Sequence, residues 1–427
     1  MPGLILSAPA SGSGKTTLTL GLLRAFRQRG VPVRGAKSGP DYIDPRFHEA
    51  ASGKPCPNLD AWAMPPARLY ALAGDDGLLL IEGAMGLFDG APPDGRGCTA
   101  DLARLFGFPV VLVVDAARMA QSVAPLVAGF AGHDPEVHVA GVILNRVGSE
   151  RHAAMLRRAL SPTGLPVLGA LPRQAGLDHP SRHLGLVQAS ERPDLDAFLD
   201  RAAAAVADAV DLDALAALAR PRRRDADVLP TLCRRAPADR IALARDAAFA
   251  FAYPHLLDDW HRAGATILPF SPLDDQPVPE ADLVILPGGY PELHAGRIAA
   301  ADRFLSSLRT ASETSDIYGE CGGYMVLGET LTDAEGQVHR MAGLLPLDTS
   351  FAARRLHLGY RTVTATQGPF PGTHAAHEFH YATTLRAEGP SLFKAFDAEG
   401  HALPDMGLVR GKVSGSFAHV IEPQRDE

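Results

Sequence analysis

Two glycine-rich segments contain residues that could do chemistry, and they lie in opposite halves of the chain. Residues 11–17 read Ser-Gly-Ser-Gly-Lys-Thr-Thr and follow an apolar run at residues 4–6. Residues 319–323 read Gly-Glu-Cys-Gly-Gly, and His419 lies near the C-terminus. A phosphate-binding loop combined with a thiol and a histidine predicts that ATP activates a substrate while glutamine supplies ammonia. The chain is therefore predicted to be an ATP-dependent enzyme that forms amide bonds.

The first segment has most features of a P-loop. A strict P-loop pattern requires glycine at position 9, where this chain has Pro9. The small residues that remain allow backbone N–H groups to converge on phosphate oxygens, Lys15 supplies positive charge, and the Thr16 hydroxyl is a candidate Mg²⁺ ligand. The residues of this loop predicted to bind ATP are Gly12, Ser13, Gly14, Lys15, Thr16 and Thr17.

Carboxylates elsewhere in the first half could hold a metal ion. Asp41 and Asp44 lie in a proline-rich loop that by itself resembles a solvated turn, but beside a P-loop they become candidates to bind Mg²⁺ or to orient substrate. Glu82 ends an apolar strand, where the ligand groups of open α/β sheets collect. The predicted metal ligands are thus Thr16, Asp44 and Glu82, with Asp41 serving either the metal or the substrate.

Two further polar residues follow apolar runs, and each has two interpretations. Asp115 could be an acid that acts at the metal site or the N-cap of the next helix, so its role stays open. The amide of Asn145 could pair with the edge of adenine, and we include it among the predicted ATP-binding residues, although a structural turn explains it equally well.

The cysteine of the second segment has the surroundings of a nucleophile. Glycines on both sides of Cys321 favour a sharp strand-to-helix turn, which places the sulfur at the N-terminus of a helix. A free thiol is mostly protonated at neutral pH, so a base is needed, and His419 is the candidate. The alternative is a buried, inert thiol. The N–H groups of Gly288, Gly289 and Gly322 are predicted to form an oxyanion hole.

Apolar periodicity predicts an α/β fold. Short apolar runs separated by helix-length stretches indicate a parallel sheet with helical crossovers; in the first half they lie at residues 4–6, 78–81, 110–114, 139–144 and 167–171. Helical spacing of Leu18, Leu22 and Phe26 predicts a helix that ends near Gly30. Short apolar runs of strand length occur again at residues 241–243, 265–268 and 283–286.

These runs predict two domains. We expect an ATP-binding domain at residues 1–225, a polar linker at 226–238 that follows three consecutive arginines, and a second α/β domain at 239–427.

Composition restricts the classes of partner. The chain has 427 residues, 46% of them hydrophobic and 21% charged, and a net charge of -8, which argues against nucleic acid as a partner. No apolar stretch is long enough to cross a membrane and the P-loop begins too early for a signal peptide, so we expect a cytoplasmic protein with no membrane contact. The four cysteines form no paired motif, which predicts free thiols.

Together these motifs resemble the cobyrinic acid / hydrogenobyrinic acid a,c-diamide synthase family of cobalamin biosynthesis. The segments that carry the resemblance are 37–45, 82–90, 245–249, 287–292 and 319–323. It implies an N-terminal dethiobiotin-synthetase-like P-loop domain followed by a class I glutamine amidotransferase domain of flavodoxin-like fold. It also implies that Lys37 joins the ATP-binding residues, that Mg²⁺ accompanies ATP, and that Cys321 and His419 hydrolyse glutamine.

The implied reaction is amidation of the a and c acetate side chains of a corrin-type ring, with glutamine as nitrogen donor and an acyl phosphate as intermediate. The implied partners are therefore ATP, glutamine and a tetrapyrrole polycarboxylate, with a homodimer as a possible assembly. On resemblance alone, residues 319–326 favour cobalt-free hydrogenobyrinic acid over the cobalt-containing ring, and nickel-sirohydrochlorin is a further alternative.

Two features leave alternatives open. Many class I glutaminases have a carboxylate two residues after the histidine, but this chain has Ile421 there; Glu422 is a weaker candidate, so the group that orients His419 is not identified. The rival from another class is a partitioning-type switch ATPase with an inactive glutaminase-like domain. Such ATPases have a second lysine in the loop where this chain has Ala10, which disfavours that reading.

Overall fold

The computed structural model describes residues 2–173, 176–177, 181–182, 185–223 and 235–424. The chain divides into two compact units, Met1–Thr231 and Leu232–Glu427. Most of the predicted linker lies outside the described residues.

The first unit contains ten strands and eight helices among its described residues. Its strands are β1 (Pro2–Ser7), β2 (Val33–Ser38), β3 (Asn58–Leu59), β4 (Leu78–Glu82), β5 (Val110–Asp115), β6 (Val139–Val147), β7 (Val167–Pro172), β8 (Ser181–Arg182), β9 (Gly185–Leu186) and β10 (Arg220–Pro221). Its helices are α1 (Lys15–Gln28), α2 (Asp44–Ser52), α3 (Pro66–Ala73), α4 (Thr99–Phe106), α5 (Val123–Gly132), α6 (Glu150–Leu160), α7 (Leu195–Ala209) and α8 (Leu212–Leu218).

The main sheet of this unit is parallel, with strand order β3-β2-β4-β1-β5-β6-β7, and β10 pairs antiparallel with β1. All five apolar runs named above form strands of this sheet. Near-continuous apolar sequence suits strands that are covered on both faces. The predicted first helix is α1, and Leu18, Leu22 and Phe26 are buried in the core.

The second unit contains fifteen strands and four helices among its described residues. Its strands are β11 (Arg240–Ala244), β12 (Thr266–Phe270), β13 (Leu283–Leu286), β14 (Asp316–Glu320), β15 (Thr330–Thr332), β16 (Val338–Arg340), β17 (Leu347–Ser350), β18 (His357–Ala365), β19 (Gly372–His380), β20 (Thr383–Ala387), β21 (Phe393–Phe396), β22 (Ala402–Met406), β23 (Leu408–Arg410), β24 (Val413–Ser416) and β25 (Ala418–Pro423). Its helices are α9 (Pro254–Arg262), α10 (Ala295–Ala299), α11 (Asp302–Thr314) and α12 (Gly322–Leu327).

A six-stranded sheet of order β12-β11-β13-β14-β24-β23 forms the α/β part of this unit, and only β23 in it runs antiparallel to its neighbour. Two further sheets have the orders β16-β15-β17-β20 and β22-β21-β18-β19-β25. The sequence analysis did not predict these two sheets. Their strands mix buried and exposed positions without long apolar runs, so the pattern used for the parallel sheets does not detect them.

Among the described residues, none of the helices combines the length and the apolar character that crossing a membrane requires.

Gly21 lies where α1 packs closely against α7. A Cβ atom at this position would lie 2.6 Å from the carbonyl oxygen of Ala202 and 2.6 Å from a methyl group of Val206. The backbone of α7 cannot move away without disturbing the buried contacts of both helices.

Gly21→Ala should therefore destabilise the first unit by about 1–2 kcal/mol, because overpacking outweighs the better helix propensity of alanine. The matched control is Gly129→Ala in α5, where a Cβ atom would meet nothing within 4 Å. That change should raise stability by about 0.5–1 kcal/mol. Calorimetry of both full-length variants measures this, and shifts of the same sign would contradict the packing argument.

Candidate active sites

The polar residues of the first unit meet at one edge of its parallel sheet. Adjacent strands β2, β4, β1, β5 and β6 all end at this edge because they run in the same direction. The residues brought there are the loop of residues 8–14 after β1, Lys37 from β2, Glu82 from β4, Asp115 from β5 and Asn145 from β6. The order of strands, which separates the sequence neighbours β1 and β2, brings the side chains together.

The P-loop has left-handed backbone at two glycines. Gly12 has φ 78° and Gly14 has φ 84°, and Gly14 is the residue directly before α1. The side-chain amide of Asn145 donates to the carbonyl oxygen of Ser13 at 2.9 Å, and a Cβ atom at position 14 would lie 2.2 Å from that nitrogen. Glycine is therefore required at position 14 by both the backbone angle and the amide.

Asn145 supports the loop in this structure. Its amide oxygen accepts from the N–H of Arg146 at 2.9 Å, so both ends of the amide are hydrogen-bonded within the protein. The residue also lines a cavity of about 270 Å³ together with Arg146 and Pro172. These contacts favour the structural interpretation of Asn145, and its predicted pairing with adenine stays a prediction.

Lys15 lies in a second cavity, of about 460 Å³, directly over the P-loop. Its ammonium group donates to the carbonyl oxygen of Met85 at 2.6 Å, and Met85 has the strained φ of 51°. Burial lowers the pKa of Lys15 to about 8, although the carboxylate of Glu82 opposes this shift. An anion at this position would favour the charged lysine.

Three of the predicted ligand groups converge beside the loop. The Thr16 hydroxyl lies 2.7 Å from Glu82 Oε1 and 3.3 Å from Asp44 Oδ2. The ammonium group of Lys37 lies 2.5 Å from Asp44 Oδ2 and 2.8 Å from Glu82 Oε1. Lys37 and Glu82 are register partners on β2 and β4, which explains their contact. Asp41 is more distant, with its carboxylate 3.9 Å from Lys37.

Charge pairing determines the protonation of this cluster. Burial opposes a charged Lys37, but Asp44 and Glu82 hold the pKa of Lys37 above its usual value. Burial would likewise raise the pKa of Glu82, but Lys37 and His48 hold it well below the usual range. Asp41 differs, since burial and the negative charge of Asp44 raise its pKa to about 7.

His48 and Cys56 also belong to this cluster, although no motif in the sequence predicts them. His48 Nε2 lies 2.7 Å from Glu82 Oε2, and the other ring nitrogen lies 3.4 Å from the Cys56 sulfur. Burial would lower the pKa of His48, but Cys56 and Glu82 raise it to about 10. The imidazole of His48 is therefore a cation that pairs with the carboxylate of Glu82. One signal was available, because Asp44 and His48 are four residues apart on α2 and share a helix face.

The cluster has the oxygen donors that Mg²⁺ prefers: one hydroxyl and two carboxylates. Asp44 supplies a further indication, because its Oδ1 atom is buried and has no hydrogen-bond partner among the described residues. A buried carboxylate oxygen without a partner is costly unless a ligand completes it. Thr16, Asp44 and Glu82 therefore fit the predicted metal site.

Asp115 has a local role. Its Oδ2 atom accepts from Arg146 at 2.6 Å, and its Oδ1 atom accepts from the N–H of Ala117 at 3.0 Å. The same Arg146 nitrogen donates to the carbonyl oxygen of Gly12 at 2.8 Å. Asp115 is not the N-cap of the next helix, since α5 begins at Val123. It holds Arg146 against the P-loop.

The second unit contains the strand-to-helix turn around Cys321. The strand β14 ends at Glu320, α12 begins at Gly322, and Cys321 between them has φ 48° and ψ −103°. A Cβ atom at position 323 would lie 1.8 Å from the carbonyl oxygen of Leu286, so only glycine fits there. The Cys321 sulfur lies 3.9 Å from the carbonyl oxygen of Phe379.

His419 on β25 is brought to this turn by strand pairing. Glu320 and Ser416 are register partners on β14 and β24, and the chain reaches His419 three residues later. The imidazole is buried and hydrogen-bonded to the Cys321 side chain, and its Nδ1 atom lies 3.0 Å from Glu320 Oε1. Burial would lower the pKa of His419, but Cys321 and Glu320 raise it to about 10.

Glu320 also belongs to this site, although the motifs in the sequence do not predict a role for it. It ends a parallel strand just as Glu82 does, so the signal used for Glu82 was available. The other candidate, Glu422, is directed elsewhere: its Oε2 atom lies 3.9 Å from the imidazole of His255.

The three glycines predicted for the oxyanion hole lie around the same turn. A Cβ atom at Gly288 would be 2.5 Å from the His419 ring, and one at Gly322 would be 3.1 Å from the backbone nitrogen of Gly289. The loop after β13 therefore contacts both the histidine and the start of α12. That these N–H groups bind an oxyanion stays a prediction.

Family models match both halves of the chain. Residues 4–187 match the CobQ/CobB/MinD/ParA nucleotide binding domain, and residues 240–426 match the CobB/CobQ-like glutamine amidotransferase domain. Curated relatives named hydrogenobyrinate a,c-diamide synthase match along nearly the whole length. The protein of Rhodobacter capsulatus is 56% identical and the match covers 98% of each chain, while that of Brucella anthropi is 55% identical with 99% of each chain covered.

The chain belongs to the hydrogenobyrinate a,c-diamide synthase family. This membership confirms the resemblance stated from the motifs, and the two matched domains confirm the predicted fold class. It also confirms the predicted enzyme class, a ligase that takes nitrogen from glutamine. The nucleotide dependence of the first unit follows from its matched domain.

A substitution at Asn145 shows whether its side-chain amide supports the P-loop or recognises the adenine base of ATP. If the amide supports the loop, Asn145→Ala should weaken the binding of ATP and of GTP by the same factor, about tenfold, because one buried hydrogen bond to the loop is lost. Asn145→Asp should be worse, since a carboxylate would face the Ser13 carbonyl oxygen. Calorimetric titration with both nucleotides measures this, and a loss confined to ATP would instead indicate a contact with adenine.

Proposed function

We propose that this chain is a hydrogenobyrinate a,c-diamide synthase, which uses ATP and glutamine to convert the a and c acetate carboxylates of hydrogenobyrinic acid into amides. The observation that supports this proposal most strongly is the 56% identity to a relative of that name across 98% of both chains. The presence of a P-loop cluster and a Cys–His pair in one chain agrees with it, because the reaction needs both an activated carboxylate and ammonia.

The first unit would activate the carboxylate. Carboxylates resist attack by ammonia because the negative charge and the poor leaving group both oppose it, so transfer of the γ-phosphoryl group of ATP gives an acyl phosphate that ammonia can attack. The P-loop N–H groups and Lys15 bind the phosphates, and Lys37 neutralises charge beside them. Ammonia then displaces phosphate and forms the amide.

Mg²⁺ is proposed to accompany ATP. Thr16, Asp44 and Glu82 would hold it, and it would supply positive charge that screens the phosphate oxygens. His48 and Lys37 keep Glu82 ionised and therefore ready to act as a ligand. Asp41, whose pKa is raised to about 7, is proposed to orient the substrate or to bind the metal.

The second unit would supply ammonia. Cys321 attacks the side-chain amide of glutamine with His419 as proton acceptor, and ammonia leaves as a glutamyl thioester forms. The N–H groups of Gly288, Gly289 and Gly322 are proposed to stabilise the oxyanion. Water then hydrolyses the thioester and regenerates the thiol.

The substrate is tested with a panel of ring acids. The purified protein is incubated with ATP, Mg²⁺, glutamine and either hydrogenobyrinic acid, cobyrinic acid or nickel-sirohydrochlorin, and the products are analysed by mass spectrometry. We expect two amidations on hydrogenobyrinic acid, each replacing a hydroxyl by an amino group. Preference for either metal-containing ring would overturn the proposed substrate, and ATP hydrolysis with no amidation of any ring would favour the switch ATPase.

Cys321→Ala should separate the two half-reactions. Glutamine-dependent amidation should be lost because the nucleophile is gone, while amidation with added ammonium salts should continue at a rate close to that of the unchanged protein. The control is Cys98→Ala, which removes a buried thiol of the first unit and should leave both activities intact. Loss of the ammonium-dependent reaction in Cys321→Ala would contradict this division between the units.

The remaining assignments stay predictions. A homodimer is proposed as a possible assembly and is checked by sedimentation equilibrium, and the cytoplasmic location is checked by fractionation of cells that produce the protein.

A further inference from the structure

The group that orients the catalytic imidazole is not the one that the class I pattern specifies. Position 421, two residues after His419, is an isoleucine with no exposed surface. Glu422 is also fully buried, but its carboxylate is directed toward His255. A histidine that accepts a proton from a thiol needs its second ring nitrogen held in a defined state, so another acceptor must perform this task.

Glu320 has the required contacts. Its Oε1 atom lies 3.0 Å from His419 Nδ1, and its Oε2 atom accepts from the backbone N–H of Val420 at 3.0 Å. The two oxygens therefore bind consecutive residues of β25, which fixes the carboxylate relative to the imidazole. The side chain is largely buried, so the interaction is little screened by water.

We propose that Glu320 is the positioning residue of the glutaminase site, in place of the carboxylate that other class I enzymes carry after the histidine. This inference rests on the proposed roles of Cys321 and His419. Glu320 accepts a hydrogen bond from Nδ1–H, which fixes the tautomer in which Nε2 serves as the proton acceptor for Cys321. One dipeptide, Glu320-Cys321, thus supplies both the nucleophile and the carboxylate.

The proton balance assigns Glu320 a constant charge. In the resting pair the proton of the Cys321 thiol is on Nε2 of His419, and the thiolate sulfur forms a bond to the amide carbon of glutamine. The imidazolium returns that proton to the departing nitrogen as the C–N bond breaks, which releases ammonia. In hydrolysis of the thioester, His419 takes a proton from water and gives it back to the sulfur. Glu320 stays ionised and stabilises the imidazolium each time it forms.

Strand pairing explains why the carboxylate can occupy this place. Glu320 ends β14 beside Ser416 of β24, and the chain turns at Phe417 into β25. The last residue of β14 is therefore adjacent to the first residues of β25. Because Cys321 has a left-handed φ, the thiol and the Glu320 carboxylate both reach the imidazole even though they are neighbours in sequence.

The test compares Glu320→Gln with Glu422→Gln in the full-length protein. Glu320→Gln keeps the side-chain shape but removes the charge, so glutamine-dependent kcat/KM should fall by about 10²–10⁴-fold. Ammonium-dependent amidation should be unchanged. Glu422→Gln makes the same change to another buried carboxylate of β25 and should leave the glutaminase pH profile unaltered.

The pH dependence identifies positioning more specifically than the rate does. Without the carboxylate the imidazolium is less favoured and its pKa falls, so the alkaline limb of the glutaminase profile should move to lower pH by about 1–3 units. The rate of Cys321 alkylation by iodoacetamide, followed on the Cys321 peptide by mass spectrometry, gives the same information without turnover. The apparent pKa of the thiol should rise in Glu320→Gln.

Each outcome decides the proposal. Unchanged glutaminase and alkylation profiles in Glu320→Gln would overturn it, as would an equal effect of Glu422→Gln. If Glu320→Gln does not fold, Glu320→Asp replaces it: partial activity with a shifted alkylation profile supports the proposal, and an unshifted profile overturns it. If the unchanged protein does not hydrolyse glutamine, the proposed function fails, but the alkylation profiles still report whether Glu320 acts on Cys321 through His419.

Discussion

A buried carboxylate at the end of a parallel strand must be matched by a cation, and this requirement shapes both candidate sites. Glu82 ends β4 and is matched by Lys37 and His48; Glu320 ends β14 and is matched by His419. In each case burial disfavours an isolated charge, and the partner offsets that cost. The carboxylate can then hold another group in place, which is Thr16 in one unit and the imidazole in the other.

Glycine provides the second common element, because both sites depend on backbone that passes very close to other atoms. Gly14 lies against the amide of Asn145, and Gly323 lies against the carbonyl oxygen of Leu286. A side chain at either position would displace a loop that carries reactive groups. Cys321, the proposed nucleophile, has a left-handed φ although it is not glycine, so its backbone is under the same constraint.

The motifs predicted most of the reactive residues but not the groups that support them. Glycine spacing indicates the P-loop and Cys321, the end of an apolar strand indicates Glu82, and the need for a base beside the thiol indicates His419. His48 and Cys56 were missed because no motif contains them, and Glu320 was missed although it lies within the Gly-Glu-Cys-Gly-Gly segment. His48 and Glu320 follow general rules of helix and strand geometry that apply equally to many surface residues, so those rules alone do not single them out.

The sequence by itself determined which chemistry the chain contains and that its strands alternate with helices, because glycine-rich loops and apolar runs are local features that depend on neighbouring residues. Only the tertiary structure decided which side chains meet. Lys37 reaches Glu82 because β2 lies beside β4, and Glu320 reaches His419 because β14 lies beside β24. Strand order is set by packing of the whole sheet. The local sequence therefore does not predict contacts between residues that lie far apart in the chain.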